Sequence, residues 1–387
     1  MSVVPEGLSH WIEVDLDKLA ANFSAVQDLV QTPVIAVVKN DAYGFGAVEC
    51  AKTFVAAGAA MLAVTTLSEA LELREAGITA PVLVFLPPQA DEAAYFAEYG
   101  LTATLDGIDT LQRLAATPGL ACHLKLNTGM NRFGANMSEL PELLRALADC
   151  SNVRLTGVYS HLATALEHDE AFARQQLAEF SRQRELIMQA GFKGVCFHLA
   201  NSAGALKFPA ARFDAVRLGS VLYAQLNLAR QFGVTLAEPF CAKAKVAAVR
   251  ELAPGDTVGY GREFAAKRSM QVAVVPFGYG DGFGVQAGAR PITVKDSVQT
   301  LSRNLGKLAL GRYHRFVYYQ DKTLEVLGRV AMQTLLCDCT GLDIKVGDVV
   351  KVPLRRTAAS ARIPRVYLRS GAVCAVRSPL AAVFRRG

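Results

Sequence analysis

Through the first 235 residues, short β-branched apolar runs alternate with longer stretches of helical periodicity. The apolar runs span 34–38, 61–64, 82–86, 101–104, 121–126, 153–158, 195–198 and 213–218, which makes eight. Between them lie 47–57, 68–76, 89–98, 109–116, 138–149, 169–189 and 202–208, each helix-like in composition. Three of these close on glycine (Gly58, Gly77 and Gly191), as a left-handed residue after a helix requires. Eight strand–helix units in this length predict an α/β fold, a closed parallel (β/α)8 barrel of the TIM type. A doubly wound open sheet is the competitor, but it normally has fewer strands and a glycine fingerprint after the first. After Glu238-Pro239 the helical period fades and turn signals recur at 253–256, 259–262, 277–284 and 345–348. Strand-like runs at 272–276, 349–352 and 363–368 separate them. The expected organisation is a barrel over residues 10–235 and a mostly β C-terminal domain over 236–387, with residues 1–9 as candidates to pack with the latter.

Composition changes this picture little. Of 387 residues, 51% are hydrophobic and 20% charged, an ordinary globular balance that excludes a disordered chain. The formal net charge of +6 comes without a polybasic tail, so neither nucleic acid nor a membrane surface is an expected partner. No apolar stretch approaches the roughly 18 residues of a membrane span, and the start lacks the basic-then-apolar order of a secretory signal. The eight cysteines sit mostly in strand-like runs. Cys337-x-Cys339 puts two thiols on one strand face, a poor match to metal spacing, so reduced buried thiols in a cytoplasmic protein and no metal site are expected.

In a parallel barrel the reactive groups project from the C-terminal ends of strands. The first run ends in Lys39, followed by Asn40-Asp41-Ala42-Tyr43-Gly44. A lysine at a buried strand end loses hydration, which lowers its pKa and suits covalent capture of a carbonyl. The sixth run ends in Tyr159-Ser160-His161, and the seventh leads through His198 to Asn201-Ser202. Ser202 alone reads as a helix N-cap, and His161 alone as a satisfied structural histidine. With Gly219-Ser220 after the eighth run they form a candidate phosphate cradle. Arg217 lies in an apolar sequence, so it needs an acceptor such as a ring nitrogen or carboxylate.

The motif AVVKNDAYGFG resembles the lysine motif of the alanine racemase family, pyridoxal 5′-phosphate enzymes built from a barrel and a C-terminal β domain. The resemblance continues in order through KLNTGMNRFG, YSHLA, HLANSAG, VRLGSVLY, VGYGREF, VPFGYGDGF, LGRVAM and ARIPRVY, nearly the whole chain. It implies an amino-acid racemase, an isomerase acting on L- and D-alanine as a homodimer with shared sites and supplying D-alanine. By resemblance, Lys39 would carry the cofactor covalently and act as one catalytic base. Tyr260, delivered by the partner subunit, would be the other. Tyr43, Ser202, Gly219 and Ser220 would contact the phosphate, Arg217 the pyridine nitrogen, and His161 would support that layer. Arg132 would reach the substrate carboxylate, Met332 would bind it through its backbone, and Tyr279 would line the entrance.

The chain departs from the family pattern at several positions. Phe45, Asn127, Asn131, Leu218, Phe264, Gln333 and Ala361 replace the usual residues, and 284–319 looks altered. Lys125 holds the position that is carbamylated in some relatives. Asn127, Asn131 and Gln333 leave serine or a broader amino-acid set open as substrate, against neutral drift around the pocket. An amino-acid decarboxylase of the same architecture would pair an acid with the ring nitrogen, unlike Arg217. A non-catalytic cofactor-binding or regulatory protein would not need both Lys39 and Tyr260.

Overall fold

The computed structural model describes residues 7–285, 302 and 315–378, so most of the altered 284–319 stretch lies outside the described residues. The described residues up to Asp15 and from Phe240 onward form one compact unit, and Leu16–Pro239 form the other.

The first strand is β1 (His10–Asp15). The barrel strands follow as β2 (Val34–Val37), β3 (Met61–Val64), β4 (Val82–Val84), β5 (Ala103–Leu105), β6 (Leu120–Lys125), β7 (Val153–Tyr159), β8 (Cys196–His198) and β9 (Val216–Leu218). They pair in parallel in the orders β4-β3-β2-β9 and β5-β6-β7-β8. A parallel bridge between Leu83 and Thr102 joins the two arcs on one side. On the other, the Arg217 and Asp214 amides donate to the carbonyls of Ala200 and Phe197, both at 2.9 Å. The sheet is therefore closed, and the open-sheet alternative falls. Each of the eight expected runs overlaps its strand, because strands buried on both faces read as continuous Val/Ile/Leu sequence.

Each expected helical stretch also overlaps a helix. In the longest, Ala171–Gln189, the buried residues are Ala173, Gln176, Phe180, Gln183 and Ile187, spaced alternately by three and four. Gly58, Gly77 and Gly191 close their helices with φ of 102°, 78° and 94°. Before the first expected run, two elements went unread in the sequence: the helix Leu16–Val30, despite buried Leu16, Leu19, Phe23, Val26 and Val30, and β1.

The strand β1 stands in a sheet of the other unit that has ten strands among the described residues. It pairs antiparallel with Phe240–Lys245 and in parallel with Arg365–Arg369. The N-terminal stretch belonging with the β unit thus reaches Asp15 rather than residue 9, and the barrel opens at Leu16 instead of residue 10. Beside the large sheet, Thr257–Val258 and Phe264–Ala265 form a short hairpin. Its Val258 packs with Ala266, Met270, Val272 and Leu327, with Phe264 against that cluster. Cys50, Cys122, Cys337 and Cys339 are buried, three other thiols are half-buried, and Cys374 is exposed, contrary to the expectation of burial. Among the described residues no helix is long and apolar enough to cross a membrane.

Candidate active site

At the C-terminal end of β2 the Val38 amide still pairs with the Ala63 carbonyl, and Lys39 is the next residue. Asn40, Asp41, Ala42 and Tyr43 then run through four consecutive left-handed conformations, with φ between 51° and 57°. Such a run costs L-residues about 1–2 kcal/mol each, and strain of this kind gathers at functional sites. Local bonds offset it: the Ala42 amide donates to the Val38 carbonyl at 2.8 Å and the Ala47 amide to Asp41 Oδ1 at 2.9 Å. The Glu69 carboxylate accepts from the Asn40 amide and from the Thr65 and Thr66 amides, tying the loops after β2 and β3 together. Burial lowers the Lys39 pKa, the Arg132 charge lowers it further, Glu69 raises it, and Arg217 lowers it. None of these neighbours was legible from the lysine motif.

Arg217 in β9 sits opposite Ile35 of β2 and is buried. Its guanidinium donates to His198 Nδ1 at 2.7 Å, to the carbonyls of His198 (2.8 Å) and Leu199 (3.0 Å), and to the Ser160 carbonyl. The protein itself thus supplies acceptors for Arg217, in place of the ring nitrogen or carboxylate expected from its apolar sequence. The Tyr159 ring stacks on His198 and carries both the Arg217 guanidinium, at 5.1 Å, and the Lys125 amine, at 4.4 Å. Burial drops Arg217 to about 10 and Lys125 to about 7, the latter helped by the charges of Arg217 and Arg132. His161 lies 3.4 Å from both Arg217 and the Asn201 side-chain amide, and burial beside Arg217 keeps it neutral.

The N-cap of helix Ser202–Lys207 is Asn201, whose side chain accepts from the Gly204 amide at 2.9 Å. Ser202 is thereby freed from the expected capping role. Its hydroxyl accepts instead from the Gly219 amide (3.0 Å) and the Val221 amide (3.4 Å). A Cβ at position 219 would collide with the Tyr43 hydroxyl, so only glycine lets that phenol approach. Lys39, Tyr43, Lys125, Arg132, His161, Ser202, Arg217, Gly219 and Ser220 line one cavity of about 510 Å³. Arg132 is exposed on a loop organised by Asn127, whose side-chain oxygen accepts from the Gly129 and Asn131 amides while its nitrogen donates to Asn131 and Asn136. A larger cavity of about 1120 Å³ holds Glu92, Asp106, Asp109, Glu139 and Glu142 but no lysine.

The other three sequence-predicted residues belong to the β unit. Tyr260 is 70% exposed, Tyr279 52% and Met332 59%. Tyr260 opens a short turn between the hairpin strands. Tyr279 and Met332 share one corner, where the Tyr279 amide donates to the Ala331 carbonyl (3.1 Å) and the Gly280 amide to the Met332 carbonyl (2.9 Å).

Residues 14–226 match the family model of the alanine racemase N-terminal domain, and residues 240–363 that of its C-terminal domain. Alanine racemase 1 of Bacillus subtilis is 30% identical over 400 residues, covering 99% of each chain. The alanine racemase of Nostoc sp. is 32% identical over 352 residues, covering 88% of this chain and 85% of its own. The crystal structure of alanine racemase from Bacillus anthracis with bound L-Ala-P superposes with a TM-score of 0.83 at 27% identity, covering 98% of this chain and 100% of that one. Matches of this extent, on a closed barrel with a lysine at its mouth, show that the chain belongs to the alanine racemase family and is a racemase, an isomerase.

Proposed function

We propose that the chain interconverts L- and D-alanine using pyridoxal 5′-phosphate held at the barrel mouth. In this reading it works as a cytoplasmic homodimer supplying D-alanine, with Lys39 and Tyr260 of the partner subunit as opposed bases. The carrying observation is the convergence of Lys39, Tyr43, Ser202, Arg217 and Gly219 on one cavity. The residues fit the cofactor. An amine of lowered pKa faces the same space as a phenol, a serine hydroxyl and the one position where only glycine leaves room for that phenol.

When bound, the cofactor supplies an electron sink that acidifies the substrate Cα–H. Tyr43, Ser202 and the Gly219 and Ser220 amides would hold its phosphate, Lys39 its aldehyde carbon, and Arg217 its ring nitrogen, with His161 behind. Arg217 has donors and no acceptor, so it orients without moving a proton. Lys39 Nζ would take or return the proton on one face, its lowered pKa favouring the accepting amine. Tyr260 Oη of the partner subunit would do the same on the other face, so neither base has to travel across the centre. Arg132 and the Met332 backbone would hold the substrate carboxylate, and Tyr279 would narrow the entrance.

The test is chiral chromatography of purified, cofactor-supplemented protein with L-alanine, D-alanine, L-serine and a wider amino-acid panel. Racemisation of alanine in both directions is expected. Preference for serine would move the substrate assignment, and failure on every amino acid would overturn the catalytic reading.

A further inference from the structure

Behind Arg217 stands a second buried histidine that no role has yet absorbed. The strands β6 and β7 pair in register from Leu120 opposite Val153 to Cys122 opposite Leu155, then shift so that His123 faces Gly157. Thr156 is the extra residue, and its hydroxyl donates to the Cys122 carbonyl at 3.2 Å. The shift sets a glycine against the His123 ring. A Cβ at position 157 would lie 2.6–2.7 Å from His123 Nε2, Cδ2 and Cε1. In that clearance His123 Nδ1 stands 2.9 Å from His198 Nε2, and His198 Nδ1 stands 2.7 Å from Arg217. Both rings are buried.

The polarity of this chain is fixed by its end. A guanidinium only donates, so His198 Nδ1 must accept. A neutral imidazole then carries its proton on Nε2 and needs an acceptor there. His123 Nδ1 is that acceptor, which puts the His123 proton on Nε2. Burial and the Arg217 charge hold both rings neutral, His123 falling to about 3. Without His123, the His198 Nε2–H would be stranded in the core. Alternatively the ring would change tautomer and point an N–H at the Arg217 donors.

We propose that His123 is a positioning residue: it fixes the tautomer of His198 and so aims Arg217, with Gly157 and the bulge at Thr156 supplying its clearance. The consequence for the cofactor rests on the reading that Arg217 faces the pyridine ring; the tautomer itself does not.

The experiment is nitrogen-15 histidine NMR on the whole protein, with and without pyridoxal phosphate, combined with titration of the cofactor by absorbance. In the wild type, His198 should be neutral with its proton on Nε2. His123→Phe and Gly157→Ala should each shift that proton or broaden the signal, and each should weaken cofactor affinity about tenfold, as loss of one buried hydrogen bond implies. His123→Gln, which keeps an acceptor, should restore affinity to within about twofold of wild type. A proton on His198 Nδ1 in the wild type would overturn the proposal. So would an unchanged tautomer and affinity in Gly157→Ala, a variant that decides the matter even if His123→Phe does not fold. If the wild type bound no cofactor, the function reading would fail while the tautomer measurement still stood.

Discussion

The two units present their functional groups in opposite ways. In the barrel unit Arg217, His198, Lys125 and Ser202 are buried: Arg217 is held by His198 and strand-end carbonyls, Ser202 accepts from the Gly219 and Val221 amides, and Lys125 lies over the Tyr159 ring. In the β unit Tyr260, Tyr279 and Met332 sit on turns, more than half exposed, Tyr260 in its hairpin and the other two in a corner made of backbone bonds. The buried cluster is satisfied by the protein's own groups, whereas the three side chains of the β unit stand open to solvent. On the proposed assignments, the contrast separates a preorganised cofactor cradle with one base in the barrel unit from the exposed groups that the β unit would add, the second base among them.

The sharpest way to break the comparison is Lys39→Ala, which removes both the proposed grip and the proposed base. Racemisation should fall by at least about 10³-fold and the absorbance of covalently held cofactor should vanish. An active variant would refute the assignment. Tyr260→Phe should fall by about 10²-fold or more while keeping that absorbance. Mixing the two variants should return about a quarter of wild-type activity, since half of the dimers are mixed and each holds one intact site. Absence of recovery would argue against a shared site. Gly219→Ala, which displaces the Tyr43 hydroxyl, should weaken cofactor affinity about tenfold with little change in melting temperature. Unchanged affinity would take Tyr43 out of the cradle.

The smallest effect concerns Lys125, held at about 7 by burial and by Arg217 and Arg132. In the unfolded chain its amine titrates near 10.4, so between these values the unfolded state binds the extra proton and raising the pH stabilises the fold. Lys125→Met should therefore melt higher than wild type at pH 7, with the gap closing towards pH 10. A gap independent of pH would show that the amine is not held neutral.

The sequence by itself determined the barrel, because eight two-faced strands and their amphipathic helices announce themselves by local periodicity. Helix-closing glycines did the same at Gly58, Gly77 and Gly191, and the ordered motifs marked Lys39, Ser202 and Arg217 as candidates. Only the tertiary structure decided where the N-terminal strand belongs, since its partners Phe240–Lys245 and Arg365–Arg369 lie hundreds of residues away. It also decided what each candidate touches. Asn201 rather than Ser202 caps the helix, carbonyls and an imidazole satisfy Arg217, and Asn40–Tyr43 turn left-handed against their local preference. Periodicity reports burial one residue at a time. Hydrogen-bond direction, clearance and desolvation are properties of groups brought together from distant strands, and they exist only once the barrel has closed.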